Sequence, residues 1–179
     1  FFGKMISALS RFILRLFGWK TNAVLPEGVV KAVLIVAPHT SSWDFIIGKM
    51  TFWTSKNKIR VLIKKEAFFF PMGWFLRQLG GVPVARGQKN NLVEQVTDLF
   101  QSNPAMVVVI TPEGTRRKVR HWKKGFYHIA MEARVPIALG FIDYATKTGG
   151  IGPLVYPTGD YEKDMVVIMD YYKDKKGRH

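Results

Sequence analysis

A chain of 179 residues is the size of one domain and is long enough to bury a full core. Hydrophobic residues at 47% and charged residues at 22% exclude a disordered chain, and the lack of cysteine excludes disulfides, thiolate metal sites and a cysteine nucleophile. The 27 Lys and Arg against 13 Asp and Glu leave a net charge of +14, a surface that attracts nucleic acid, anionic lipid or phosphorylated small molecules.

The first stretch, FFGKMISALSRFILRLFGWK, is apolar but carries Lys4, Arg11 and Arg15. It fits neither a membrane span, which needs roughly 20 mostly apolar residues, nor a secretory signal with a small-residue cleavage site. Phe2, Met5, Ile6, Leu9, Phe12, Ile13, Leu16 and Phe17 fall on one broad helical face. The spacing predicts a basic amphipathic helix lying in a membrane interface, and a terminal helix packed on the protein's own core is the alternative. The excess of basic residues favours the membrane.

Residues 21–28 (TNAVLPEG) read as a turn-rich connector. Residues 31–37 (KAVLIVA) are a continuous apolar run, the pattern of a strand buried on both faces. Helix follows over 43–55 and strand over 60–63. Short helical pieces, interrupted at Pro71 and Gly73, are expected over 66–79, then a short strand over 81–85. A helix over 90–101 would bury Leu92, Val93, Val96 and Leu99, and 105–110 (AMVVVI) is another buried strand. Beyond an aperiodic loop come helix over 126–133, strand over 137–142, a further short strand over 154–156 and a closing helix over 161–172. Alternating strands and helices predict a layered α/β/α fold with a largely parallel central sheet. Sites in such sheets lie at strand ends and in the following loops.

Polar clusters fall at those places. His39 and Asp44 bracket HTSSWD, directly after the first buried strand. A histidine acting as base needs a partner that fixes its tautomer and stabilises its charged form, and Asp44 can fold back across a strand-to-helix turn to do so. Ser41 or Ser42 can cap the helix that starts there. The plainer reading is a loop histidine and an aspartate favoured by the helix dipole. The second cluster is Thr111-Pro-Glu-Gly-Thr-Arg116, again after a buried strand. Gly114 permits a sharp turn or close approach, Glu113 can hold a hydroxyl, and Arg116 offers a planar fork for phosphate. Arg86, after a short strand and beside Gly87, is another candidate phosphate ligand. Phe68, Phe69, Phe70, Trp74 and Phe75 are core, membrane contact or the wall of an apolar pocket. The basic run from Arg116 to Lys124 adds positive potential, most of it a solvated face. The four histidines show no metal-ligand spacing, and no G-x-S-x-G elbow is present.

Four ordered blocks make the chain resemble the glycerolipid acyltransferase superfamily, typified by 1-acylglycerol-3-phosphate acyltransferases. They are H-x4-D (His39 to Asp44), G-x5-R (Gly80 to Arg86), P-E-G-T-R (Pro112 to Arg116) and V-P-I (Val135 to Ile137), with K-x-G at Lys123 to Gly125. The match spans about residues 31–142. Pro38 and Thr111 stand where members often carry Asn and Phe, neither a reacting group.

The chain is thus read as residues 1–20, the amphipathic membrane-interface helix, and 21–179, one domain that the resemblance makes an acyltransferase domain. The resemblance implies transfer of a fatty acyl group from acyl-CoA or acyl-ACP to the hydroxyl of a lysophosphatidate-like acceptor, with no cofactor and no metal. His39 would be the general base and Asp44 its partner. Arg86, Arg116 and Lys124 would bind acceptor phosphate, and Glu113, with Gly114 and Thr115 of the same block, would hold the acceptor's glycerol part. The implied partners are the acyl thioester donor, a phosphorylated lysolipid, an anionic membrane surface and, as one donor carrier, acyl carrier protein. The implied location is the cytoplasmic face of the inner or plasma membrane, held peripherally. Two alternatives stay open: another lysolipid acceptor such as an amino-lipid, and a non-catalytic basic module for anionic membrane or nucleic acid. No nucleic-acid motif is present, so nucleic acid is not expected as a partner.

Overall fold

The computed structural model describes residues 2–55, 59–85, 89–117 and 119–178. A seven-stranded sheet forms the middle layer. Its strands are β1 (Lys20–Asn22), β2 (Lys31–Ala37), β3 (Ile59–Lys64), β4 (Gly81–Val84), β5 (Met106–Ile110), β6 (Ile137–Asp143) and β7 (Thr148–Val155). Their order is β1-β7-β6-β2-β5-β3-β4. The five strands from β6 to β4 are mutually parallel, whereas β7 runs antiparallel to β6.

β2 is central, and its seven residues are buried almost throughout, as expected for a strand covered on both faces. Because side chains alternate along a strand, Val33, Ile35 and Ala37 enter one core and Ala32, Leu34 and Val36 the other. The first core packs against α4 (Lys89–Ser102), α5 (Gly125–Ala133) and α6 (Tyr161–Tyr172), through Val96, Phe100, Phe126, Ile129 and Ile168. The second packs against α1 (Phe2–Leu16) and α2 (Trp43–Trp53), through Leu14 and Ile47. The short α3 (Met72–Gln78) precedes β4 at the other edge of the sheet.

Three elements differ from the sequence reading. The connector at 21–28 begins inside β1, a three-residue edge strand parallel to β7. The short strand expected at 154–156 is the end of β7, which starts at Thr148. The broad apolar face of the first helix divides in two. Ile6 and Ile13 are half-buried beside the buried Ser10 and Leu14, where α1 meets α2. Met5, Leu9, Phe12 and Leu16, spaced at four and three residues, form a second stripe that is 53–70% exposed. No helix among the described residues is long and apolar enough to cross a membrane.

The topology places a crevice. The chain leaves β2 into α2 on one face of the sheet, and leaves the adjacent β5 toward α5 on the other. Neighbouring parallel strands whose following helices go to opposite faces leave a gap at their carboxyl ends, where ligands of open α/β sheets bind. His39 and Glu113 lie two and three residues beyond the ends of those strands.

Candidate active site

The loop after β2 turns at Pro38 to Ser42 and enters α2 with Asp44 in the first turn. The buried Asp44 carboxylate organises that loop. Its Oδ2 accepts from Thr40 N–H at 2.8 Å, Ser41 N–H at 2.9 Å and His39 Nδ1 at 3.1 Å. Its Oδ1 accepts from the Tyr144 hydroxyl at 2.6 Å. Burial alone would raise the Asp44 pKa. The bonds from His39, Tyr144, Ser41 and Thr40 outweigh it and hold the carboxyl below its ordinary value. The bonds thus favour the carboxylate form of Asp44, with Oδ2 facing His39 Nδ1. That bond leaves Nε2 as the free nitrogen of a ring that lines the cavity.

Of the two serines expected to cap α2, Ser42 stands at the N-cap position and Ser41 supplies the side-chain bond. Ser41 Oγ accepts from Trp43 N–H at 3.2 Å. Ser42 makes no cap bond through its side chain and instead accepts from Arg116 Nη1. Arg116 thus ties the second loop to the first.

In the loop after β5, Glu113 Oε2 accepts from His39 N–H at 2.6 Å. The carboxylate fixes the backbone of the catalytic-type histidine. Burial pushes the Glu113 pKa up, the His39 amide and ring pull it down, and the Asp44 charge pushes it up again. Gly114 has φ +66, a backbone conformation that favours glycine, and the end of the Lys123 side chain passes close beside it. Thr115 is exposed and its hydroxyl accepts from Arg117 N–H in the loop itself. Lys124 lines the cavity, but its amine sits 4.1 Å from the centre of the Tyr161 ring and 3.6 Å from Glu162. Arg86 and Gly87 lie outside the described residues, as does Lys118 of the basic run.

A cavity of about 1290 Å³ crosses the carboxyl ends of β2 and β5. One arm passes under α2, lined by Phe45, Gly48, Thr51, Phe52 and Ile142. The other reaches between α4 and α5, past Leu92, Val93 and Ile129. His39, Asp44, Gly114 and Lys123 are among the residues lining the cavity. Lys49 also lines the cavity, donates to the Leu79 carbonyl and has no carboxylate partner among the described residues. Burial, with Arg60 nearby, lowers its pKa. An anion beside it would offset both effects.

The sequence reading brought out His39, Asp44, Glu113, Gly114 and Arg116, and the structure gathers all five. It did not single out Lys49 or Tyr144, and it named Lys123 only within the K-x-G block and the basic run. Lys49 follows the helical spacing of the cavity-facing Phe45, Gly48 and Phe52, so the face of α2 was the available signal. Tyr144 stands a hundred positions from Asp44 with no local signal at all. Among the described residues no group of three His, Cys, Asp or Glu gathers as metal ligands.

Comparison with known proteins bears on the fold and the family. No curated protein matches the chain. The structure superposes on that of the 1-acyl-sn-glycerophosphate (LPA) acyltransferase PlsC from Thermotoga maritima with a TM-score of 0.62. The match covers 98% of this chain and 81% of that one at 17% identity, and it establishes the shared fold. The acyltransferase family model matches residues 21–138, a span that runs from β1 into β6 and contains both site loops. The chain belongs to the acyltransferase family.

Proposed function

We propose that the protein transfers a fatty acyl group from a thioester to the hydroxyl of a phosphorylated lysolipid such as lysophosphatidate, with His39 as general base. The carrying observation is the 3.1 Å bond from His39 Nδ1 to the buried Asp44, both of which line the cavity at the carboxyl ends of β2 and β5. An alcohol is a weak nucleophile until a base takes its proton. His39 Nε2 removes the acceptor's hydroxyl proton as the oxygen attacks the thioester carbonyl, and Asp44 stabilises the imidazolium. The tetrahedral intermediate then collapses, the C–S bond breaks, and the proton passes from His39 to the leaving thiolate. Base assistance of this kind contributes about 10²–10⁴-fold.

The apolar arm under α2 takes the acyl chain. Lys49 and Lys123, which line the cavity, and Arg116, bonded to Ser42 of the histidine loop, hold the acceptor's phosphate, joined by Arg86 on the motif resemblance. The donor's carrier is coenzyme A or acyl carrier protein. The exposed stripe Met5, Leu9, Phe12 and Leu16 lies on a membrane surface where such lipids are found.

The test is acyl-thioester turnover, followed by thiol release, with lysophosphatidate compared against a phosphate-free lysolipid. Release that depends on the phosphorylated acceptor is expected. Equal stimulation by the phosphate-free lysolipid would overturn the acceptor assignment and favour an amino-lipid or similar acceptor.

A further inference from the structure

The bond from Tyr144 to Asp44 needs an account. A buried aspartate beside a histidine base has two oxygens, and only one can face the imidazole. Here Oδ2 serves His39 and two backbone amides, and Oδ1 takes a single donor, the Tyr144 hydroxyl at 2.6 Å. We infer that Tyr144 is a positioning residue of the dyad, holding Asp44 in the rotamer and charge state that keep His39 in its catalytic tautomer. This rests on the general-base reading of His39.

The tyrosine is itself held from several sides. It directly follows β6, where Asp143 folds the turn by accepting from Ala145 N–H at 3.1 Å and from Thr146 Oγ1 at 2.8 Å. Tyr144 N–H donates to the Lys176 carbonyl at 3.0 Å, so the segment after α6 pins its backbone. Its ring meets the buried Trp19 edge-on, with centroids 5.2 Å apart. Trp19 in turn closes α1, its N–H bonded to the Leu14 carbonyl at 2.8 Å. Lys147, on the turn that follows Tyr144, accepts from Lys20 N–H at 2.9 Å and donates to the Phe17 carbonyl at 3.2 Å. The end of the stripe-bearing helix and the oxygen of Asp44 are thus joined through one aromatic pair.

The phenol keeps its proton under all ordinary conditions. Burial, the bond to Asp44 and the Asp44 charge push its pKa up, and Arg178 opposes them only in part. It is therefore a donor that never becomes a second anion beside the carboxylate. The charged groups facing the dyad are Glu113 from the loop after β5, Arg116 through Ser42, and Arg178 beside Tyr144. Among the described residues none of these three bonds the Asp44 carboxylate, whereas the neutral Tyr144 hydroxyl donates to it directly.

Tyr144→Phe keeps the ring against Trp19 and removes only the hydroxyl. The expected result is a fall in kcat of about tenfold, with KM for donor and acceptor within about twofold. The acid limb of the kcat/KM profile should move to higher pH, because an Asp44 no longer sharing its charge with the phenol holds the imidazolium proton more tightly. A thermal melt on the same sample checks that the variant is folded. A packing role alone would lower the melting temperature and leave the acid limb in place. Wild-type kcat in folded Tyr144→Phe, or a lower kcat with an unmoved acid limb, would overturn the assignment. His39→Ala in parallel separates the two claims: turnover retained there removes the base itself. Turnover lost there, with Tyr144→Phe unchanged, overturns the tyrosine's role alone.

Discussion

Gly48 sits in the middle of α2, where glycine is about 1 kcal/mol worse than alanine. It faces the cavity arm assigned here to the acyl chain. A Cβ built there would lie 3.7 Å from Ile142 Cδ1, an ordinary contact that asks nothing of the helix or the sheet. Gly48→Leu, whose folding a thermal melt checks, therefore meets no clash at its Cβ and directs its side chain toward the cavity that Gly48 lines. Each methylene of substrate so displaced loses about 0.8 kcal/mol of burial. Four displaced methylenes cost about 3 kcal/mol, on the order of 10²-fold in kcat/KM. The penalty should fall on long chains and spare those too short to reach Gly48. Gly48→Ala should raise the melting temperature and shift the length preference by about one carbon. The assay is kcat/KM for saturated acyl-thioesters of increasing length, wild type against both variants. A uniform loss at all lengths, or an unchanged length profile in Gly48→Leu, would refute the placement of the acyl chain under α2.

Leu9→Glu with Phe12→Glu should weaken binding to anionic vesicles in a flotation assay without lowering the melting temperature, since both side chains are exposed. Arg116→Ala should raise the acceptor KM with little change in kcat, read from initial rates, if its fork holds ground-state phosphate. Asp164 accepts from Tyr127 Oη at 2.7 Å and from Thr158 N and Oγ1 at 2.7 and 2.9 Å. Those bonds outweigh the effect of burial and hold its pKa below the ordinary 3.8. A depressed folded value means stability that is fully present above the ordinary carboxylate range and lost as pH falls through the folded value. Asp164→Ala should cost about 3 kcal/mol in urea melts at neutral pH, and that difference from wild type should shrink only in acid, below about pH 4.

The sheet's parallel core was legible because continuous apolar runs such as 31–37 and 105–110 have one good use, a strand covered on both faces. The motif loops were legible because they follow those runs directly. β7 was legible only at its end, since Gly149, Gly150, Gly152 and Pro153 weaken the strand pattern of its first part. The structure gives Gly150 its reason: a Cβ there would lie 2.0 Å from the Asn22 carbonyl oxygen, so the glycine admits β1 to the sheet edge. Glu113 was legible as a site residue, but its hydrogen-bond partner was not, because a backbone N–H leaves no mark in a sequence. The same holds for Tyr144, whose partner is set by how β6 ends rather than by any nearby spacing. For α1, periodicity gave the helix but could not divide its wide apolar face. Packing on α2 selects Ser10 and Leu14 and leaves Met5, Leu9, Phe12 and Leu16 outward.

The central claim is that His39, held by Asp44, removes the proton of the attacking hydroxyl. Thiol release from a long-chain acyl-thioester, in the presence of lysophosphatidate and vesicles, tests it when wild type is compared with a folded His39→Ala variant. Acceptor-dependent release in the wild type that falls by at least about 10²-fold in the variant is the predicted result. Release in His39→Ala at the wild-type rate would contradict it.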